Sequence, residues 1–163
     1  MYLPLLQVAA LALVAVALTA TLAHALELPG KLRLGRKDYL TVQGIYYPGF
    51  TRAGLAEPAA ILALLLLLLM TPMGPGFWLT LGALLAMVAV HAVFWLVTQP
   101  VNRVWVAELD LGRADVAFFS TGRHATETDW TALRDRWERS HVVRAIASSI
   151  GFLLLATATA IRT

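Results

Sequence analysis

Two histidine–carboxylate pairs with i, i+3 spacing are the residues whose types and positions point most directly to chemistry. Glu138 precedes His141 by three positions, and His24 precedes Glu27 by three positions. Residues three apart share one face of a helix, and di-iron four-helix bundles bind metal through such a Glu-x-x-His element. Together with Glu57 as a third carboxylate, these two pairs could hold a single Fe, Mn or Zn ion. This metal site is the alternative to a metal-free site.

Polar residues occur at matching depth in four long apolar segments. An ionisable group inside a membrane helix is costly, so it is a candidate functional residue by default. The residues at this depth are His24, Glu27, Glu57, His91, Asn102, Glu138, His141 and Arg144. We expect them to form one polar layer inside a helical bundle.

The last apolar segment carries these residues on one helical face. At about 100° per residue, a single stripe contains Trp130, Arg134, Trp137, His141, Arg144 and Ser148. The pattern predicts a polar pocket, walled by Trp and Leu, that opens toward the cytoplasmic surface. Ligand sites between bundle helices are typically placed in this way.

Each candidate also has a purely structural interpretation. Glu27 and residues 134–139 would lie in solvent at the membrane interface. His91 would be a hydrogen-bonded packing residue, and Glu57 would form an ion pair with an arginine. The result would be a buried polar network without a catalytic role.

The composition excludes a water-soluble globular domain. Of the 163 residues, 59% are apolar and 14% are charged, whereas soluble domains average roughly 45–50% and about 25%. The chain has no Cys, which excludes disulfides, thiolate metal sites and Cys nucleophiles. The G-x-S-x-G, P-loop, G-x-G-x-x-G and H-E-x-x-H patterns are also absent, so nucleotide and hydrolase chemistry have no support.

Four apolar stretches predict an all-α integral membrane four-helix bundle, formed by one transmembrane domain over residues 1–163. Each stretch is long enough to cross a hydrocarbon core of about 30 Å as a helix. The predicted spans cover about residues 2–26, 53–73, 77–97 and 142–161, and the loops cover 27–52 and 98–141. The first span ends in an A-x-A pattern that a signal peptidase would recognise. Because its apolar run exceeds the usual ~7–15 residues and no basic residue precedes it, we expect it to be retained.

The two predicted loops have different features. Tyr39, Tyr46 and Tyr47 in the first loop suit an aromatic belt at the membrane interface. In the second loop, apolar residues recur at helical spacing from Val101 to Leu109, which indicates a short interfacial helix. A new helix is expected to begin at Trp130 and to run into the last span.

The basic residues predict the orientation in the membrane. Twelve of the thirteen Lys and Arg residues lie in or beside the two loops, and only Arg162 lies on the other side. The positive-inside rule makes the loop side cytoplasmic, so both termini should face outward from the plasma (inner) membrane. Because this topology and anionic lipid explain the basic residues, no nucleic acid partner is expected; the expected partners are the bilayer and a hydrophobic small molecule.

At several points the sequence resembles the anthrone-oxygenase-like family of small four-span membrane proteins. The matching pieces are residues 24–29 with Lys31-Leu32, Tyr39 to Gln43, Glu57, Pro100 to Arg103, and Trp130 through residues 136–144. The resemblance implies an oxygenase that acts on polycyclic phenols such as anthrones without a dedicated cofactor. It also implies functional roles for His24, Glu27, Asn102, Trp137, His141 and Arg144.

The chemistry that this resemblance implies needs a base, a cation and an apolar wall that excludes water. Deprotonating an anthrone beside its ketone gives an anion that reacts with O₂ directly, so the site needs a base and a stabilised oxyanion. His141 or His24 is the candidate base, Glu27 or Glu138 its orienting partner, and Arg144 the oxyanion partner. The other expected substrate contacts are Trp137 and Trp130 as the stacking surface, with Glu57, Asn102, Glu138 and His91.

Two other functions fit the same residues. The first is a non-catalytic binding protein for a lipid-soluble molecule or a metal, with His24, Glu27, Glu57, Glu138 and His141 as the metal ligands. The second is a structural membrane subunit whose polar layer contacts a partner.

Overall fold

The computed structural model describes residues 2–108 and 130–161, and the regular secondary structure within those residues is entirely helical. The helices are α1 (Tyr2–Lys31), α2 (Arg36–Gly54), α3 (Ala56–Leu69), α4 (Pro75–Val93), α5 (Gln99–Glu108) and α6 (Trp130–Ala160). A five-residue π-helical segment, Phe94–Thr98, joins α4 to α5 without a break and is called the π-turn below. The predicted all-α fold is confirmed.

Four helical segments are long and apolar enough to cross a membrane, which confirms the four-span prediction and makes the chain a multi-pass membrane protein. They are Leu3–Lys31, Gly49–Leu69, Pro75–Trp105 and Trp130–Ala160. α1 packs against α3 and α6, and α4 packs against the same two helices. The spans therefore form a closed ring in which neighbours along the chain are neighbours in space, while α2 lies against α1.

The centre of the ring is apolar and closely packed. Val14, Leu64, Met87 and Leu155 are fully buried there, together with several alanines. Small residues allow membrane helices to approach one another closely. Other leucines, such as Leu69, are largely exposed on the outer surface, as expected where helices contact lipid.

The third helix continues past Gln99 and Pro100, where the sequence predicted that the span would end. Proline lacks an N–H, and its ring clashes with the carbonyl four residues earlier. In the π-turn the N–H of Gln99 bonds to the carbonyl of Phe94, five residues back, so the helix is widened where Pro100 follows. The residues of the predicted interfacial helix up to Glu108 form α5, continuous with the third span, and Leu109 lies outside the described residues.

The first loop is mostly helix α2, and the prediction of an interfacial tyrosine belt is wrong for two of its three tyrosines. Tyr39 is fully buried and Tyr47 is 7% exposed. Because α2 packs on the end of the bundle, these rings face inward. There the Tyr39 hydroxyl donates to Glu138 Oε1 at 2.7 Å, which satisfies a group that burial would otherwise leave unpaired.

Candidate functional site

A cavity of about 410 Å³ lies at the end of the bundle where α1 ends and α3 begins, and we call this the polar end. Small-molecule sites usually measure about 300–1,000 Å³. Seven of the ten residues predicted from the sequence line it: His24, Glu57, His91, Asn102, Trp137, His141 and Arg144. Much of the remaining wall is aromatic and comes from Tyr46, Tyr47, Phe50, Phe94 and Trp95.

The rim of the cavity reaches the outer surface of the bundle beside the π-turn. Leu55, at the α2–α3 junction, is 70% exposed, and Trp95 is 43% exposed. Both residues also line the cavity, as does the exposed Pro58. The cavity is therefore bordered by a surface that belongs to two membrane-spanning helices.

Two buried imidazoles lie beside each other in the cavity. The ring centroids of His24 and His141 are 4.4 Å apart. The Trp137 ring lies 4.0 Å from His141 and 4.9 Å from His24, and Phe50 packs on His24 at 4.3 Å. A planar guest would thus meet aromatic faces and imidazole nitrogens together.

A continuous chain of polar contacts runs along the cavity wall and ends at His141. The Trp95 indole N–H donates to His91 Nε2 at 2.9 Å, and His91 Nδ1 lies 3.3 Å from Glu57 Oε2. Arg144 donates through Nη2 to Glu57 Oε1, and its Nη1 lies 3.4 Å from His141 Nδ1. Glu57 and Arg144 thus form a buried ion pair that positions the guanidinium against an imidazole.

Asn102 supports the aromatic wall from α5. Its Oδ1 accepts a hydrogen bond from the Trp137 indole N–H at 2.7 Å and from the Tyr47 hydroxyl at 3.5 Å. Burial raises the pKa of the Tyr47 phenol, so the phenol remains protonated and donates. The amide therefore fixes the orientation of Trp137, the ring that contacts both imidazoles.

Replacing Asn102 by Leu should destabilise the protein by about 1–3 kcal/mol, because the buried Trp137 N–H loses its acceptor. Denaturant unfolding in detergent micelles measures the change. The double variant Asn102→Leu with Trp137→Phe removes donor and acceptor together, so its cost should be smaller than the sum of the single costs. If the cost of the double variant equalled the sum of the two single costs, the two side chains would not be coupled, which would contradict this prediction.

A second charged cluster lies next to the cavity, behind His24. The Lys31 ammonium is 3% exposed and lies 3.2 Å from Glu138 Oε1, 3.6 Å from Glu27 Oε2 and 3.5 Å from His24 Nδ1. Tyr39 completes it through its hydrogen bond to Glu138. Burial, with the Glu138 charge, raises the pKa of the Tyr39 phenol above its ordinary value, so this phenol also stays protonated.

Three of the predicted residues do not line the cavity. Glu138 is buried in the Lys31 cluster, and Glu27 is 39% exposed in its side chain and contacts Lys31 from the surface side. Trp130 packs near Tyr39 at 6.2 Å, in the aromatic cluster behind Trp137. Trp137 lines the cavity and Trp130 does not, because Trp130 lies about two turns before Trp137 on α6.

The five residues considered as metal ligands are divided between different bonding groups. Glu57 is paired with Arg144 and Glu138 with Lys31. Within residues 2–108 and 130–161, no three His, Asp or Glu side chains converge closely enough to hold a metal ion. The metal ion that the sequence offered as an alternative stays a prediction, which elemental analysis of the purified protein tests.

Lys31 and Gln43 were not among the predicted site residues, although both lie in segments that resemble the family. Lys31 lies in a segment with several basic residues. Its charge was therefore used only to predict the orientation in the membrane, and its burial was not predicted. Gln43 is 1% exposed and lines the cavity. Its place four residues after Tyr39, on the same face of α2, was the available signal.

Comparison with known proteins identifies the family. The family profile described as anthrone oxygenase matches residues 45–154, more than half of the chain. The chain belongs to the anthrone oxygenase family. Neither the search of curated proteins nor the search of solved structures gave a match.

The anthrone oxygenase match covers most of the cavity. It begins in α2 and ends in α6, so it includes Glu57, Asn102, His141 and Arg144. Helix α1, which contributes His24, Glu27 and Lys31, lies before the matched range. The structure places His24 of this unmatched helix against His141 of the matched one.

Proposed function

We propose that this protein is a membrane oxygenase that oxidises a hydrophobic aromatic substrate, of anthrone or quinol type, in the cavity at its polar end. The observation that carries the proposal is the meeting of two imidazoles and a guanidinium in one cavity with aromatic walls. Family membership supports oxygenase chemistry. The exposed rim at Leu55 and Trp95 supports entry of a substrate dissolved in the bilayer.

The reaction needs no reductant beyond the substrate. A base removes a proton from the CH₂ opposite the ketone, and the electron pair is delocalised onto the ketone oxygen. O₂ accepts electrons from this anion, forms a C–O bond and takes up a proton to give a hydroperoxide. Loss of the second C–H proton breaks the O–O bond, so one oxygen atom becomes the new carbonyl and the other leaves as water.

The side chains in the cavity match these steps. One of the two imidazoles serves as the base, and the aromatic faces of Trp137 and Phe50 hold the planar substrate. Arg144 stabilises the developing oxyanion; its Nε is buried and has no hydrogen-bond partner in the described part of the chain. Donors already in place for a developing charge are an effective source of catalysis in a site that excludes water.

The proposal is tested with purified protein in lipid nanodiscs, anthrone and ¹⁸O₂. We expect O₂ uptake above the spontaneous rate in empty nanodiscs, with one ¹⁸O atom in the quinone and one in water. The variant Leu62→Ala, on the outer face of α3, should react like the unaltered protein. Tight binding of anthrone without O₂ uptake would support a binding protein instead, and would contradict the oxygenase.

The scheme assigns the reaction with O₂ to the substrate anion, without a cofactor. Elemental analysis of active preparations tests this part. A stoichiometric transition metal whose removal abolishes turnover would contradict it.

We also propose that the polar end faces the cytoplasm across the plasma membrane. Lys31, Arg36, Arg52 and Arg103 lie near that end of the described helices, and positive residues favour the cytoplasmic side. Alkaline phosphatase fused to the C-terminus should then be active in the periplasm. An inactive phosphatase fusion together with a fluorescent cytoplasmic fusion would contradict the orientation.

A further inference from the structure

His141 has a buried ring nitrogen that no contact among the described residues explains. Its Nε2 has no hydrogen-bond partner among the described residues, although the side chain is 5% exposed and lines the cavity. An unpaired buried polar atom costs about 1–3 kcal/mol. Such groups are rare and require an explanation.

The polar chain on the cavity wall determines which nitrogen of His141 carries the proton. Arginine has only donors, so the contact from Arg144 Nη1 makes His141 Nδ1 an acceptor. The neutral ring then carries its hydrogen on Nε2. This unpaired atom is a donor.

The other hydrogen bonds of this polar chain hold Arg144 in place as the donor to His141. Trp95 can only donate, so His91 accepts at Nε2 and its Nδ1–H points to Glu57. The Glu57 carboxylate in turn accepts from Arg144. Each hydrogen bond thus has one direction. Trp95 donates to His91, and His91 donates to Glu57. Arg144 donates both to Glu57 and to His141.

We infer that His141 Nε2–H binds an oxygen atom of the ligand, a ketone or phenolate oxygen on a planar aromatic molecule. The inference rests on the proposed function, because it requires the cavity to bind the substrate. The Trp137 ring, 4.0 Å from His141, supplies the face beside which the ligand plane lies. The ligand oxygen satisfies the nitrogen that residues 2–108 and 130–161 leave unpaired.

This assignment leaves the base role to His24. Its Nδ1 lies near both the Lys31 ammonium and the Glu27 carboxylate, at 3.5 and 3.8 Å. The Glu27 carboxylate stabilises the imidazolium that forms when the ring takes a proton. Lys31 can only donate, so Nε2 has the free lone pair in the tautomer in which Lys31 donates to Glu138 and Glu27 and the Nδ1–H points toward Glu27.

The inference is tested by binding, which does not depend on turnover. Quenching of tryptophan fluorescence gives the affinity for anthraquinone, which has two ketone oxygens, and for anthracene, which has the same ring system without oxygen. We expect the unaltered protein to prefer anthraquinone by about tenfold, the value of one good hydrogen bond. His141→Leu should abolish the preference, and His141→Gln, which keeps an N–H, should retain most of it.

The outcomes separate this inference from the proposed function. If both molecules bind equally well to the unaltered protein, or if His141→Leu keeps the preference, the donor role of His141 is wrong while the aromatic site stands. If neither molecule binds, the proposed function fails, and the inference fails with it.

A second measurement requires no variant of His141. The chain has four histidines, and ¹⁵N-histidine NMR distinguishes protonated from unprotonated ring nitrogens, with His24→Gln, His91→Gln and His124→Gln used for assignment. We expect the His141 signal to show an unprotonated Nδ1 and a protonated Nε2. A proton on Nδ1 would overturn the inference even if no variant of His141 folded.

Discussion

His24→Ala is expected to lower kcat for O₂-dependent turnover of anthrone by about 10²–10⁴-fold, the usual contribution of a general base. His24 is the cavity imidazole with a carboxylate near Nδ1, and it contacts the aromatic wall through Phe50 and Trp137. Removing the base raises the barrier to the first proton transfer and leaves the aromatic surfaces in place. KM should therefore change far less than kcat. Stopped-flow measurement of quinone formation under saturating O₂ gives both constants.

Two matched variants define the interpretation of this result. His24→Gln keeps a polar side chain of similar reach but has no basic nitrogen, so its loss of kcat should equal that of His24→Ala. Thr19→Ala changes an exposed residue of the same helix whose hydroxyl bonds only to its own helix, so its turnover should be unaffected. Equal activity of His24→Gln and the unaltered protein would show that His24 is not the base.

Lys31→Met should destabilise the fold by about 3–5 kcal/mol, the cost of leaving one partner of a buried ion pair without the other. Glu138 is 2% exposed and pairs with Lys31 across 107 positions of sequence. After the substitution, Tyr39 alone would bond to the buried carboxylate. Denaturant unfolding in a fixed detergent, followed by circular dichroism, measures the difference.

The exposed residue Lys37 on α2 provides the control. Lys37→Met should change stability by less than about 0.5 kcal/mol, as surface substitutions usually do. The double variant Lys31→Met with Glu138→Gln should recover part of the loss, because no uncompensated charge remains. If Lys31→Met were as mild as Lys37→Met, Lys31 and Glu138 would not form a structural ion pair in the folded protein.

The fold could be predicted from the sequence because hydropathy and helical period report on it directly. Four apolar runs gave the number of spans, and the 3.6-residue period placed Trp137, His141, Arg144 and Ser148 on one face; in the structure that face is buried. Their position near the polar end also followed from sequence, because adjacent spans alternate in direction.

The contacts that organise the site are long-range, and a single sequence does not contain them. Lys31 was counted with the loop charges because nothing near it in sequence shows that Glu138 neutralises it. Tyr39 was assigned to the interface for the same reason: its partner lies 99 positions away. The contact of Arg144 with His141, by contrast, spans only three positions. The position of the His141 ring proton nevertheless also depends on Glu57, which lies on another helix and holds Arg144 in place.

The π-turn at Phe94–Thr98 acts as a one-residue insertion in the third helix. A π-type turn takes about one residue more than an α-type turn, so all later residues are rotated by about 100° relative to an uninterrupted α-helix. Asn102, which accepts from the Trp137 indole, lies on the face that this rotation sets. Deleting one codon within residues 94–98 would therefore remove the extra residue and leave Asn102 on the same face of a regular α-helix, whereas deleting one codon between Gln99 and Val101 would turn Asn102 by about 100° to another face.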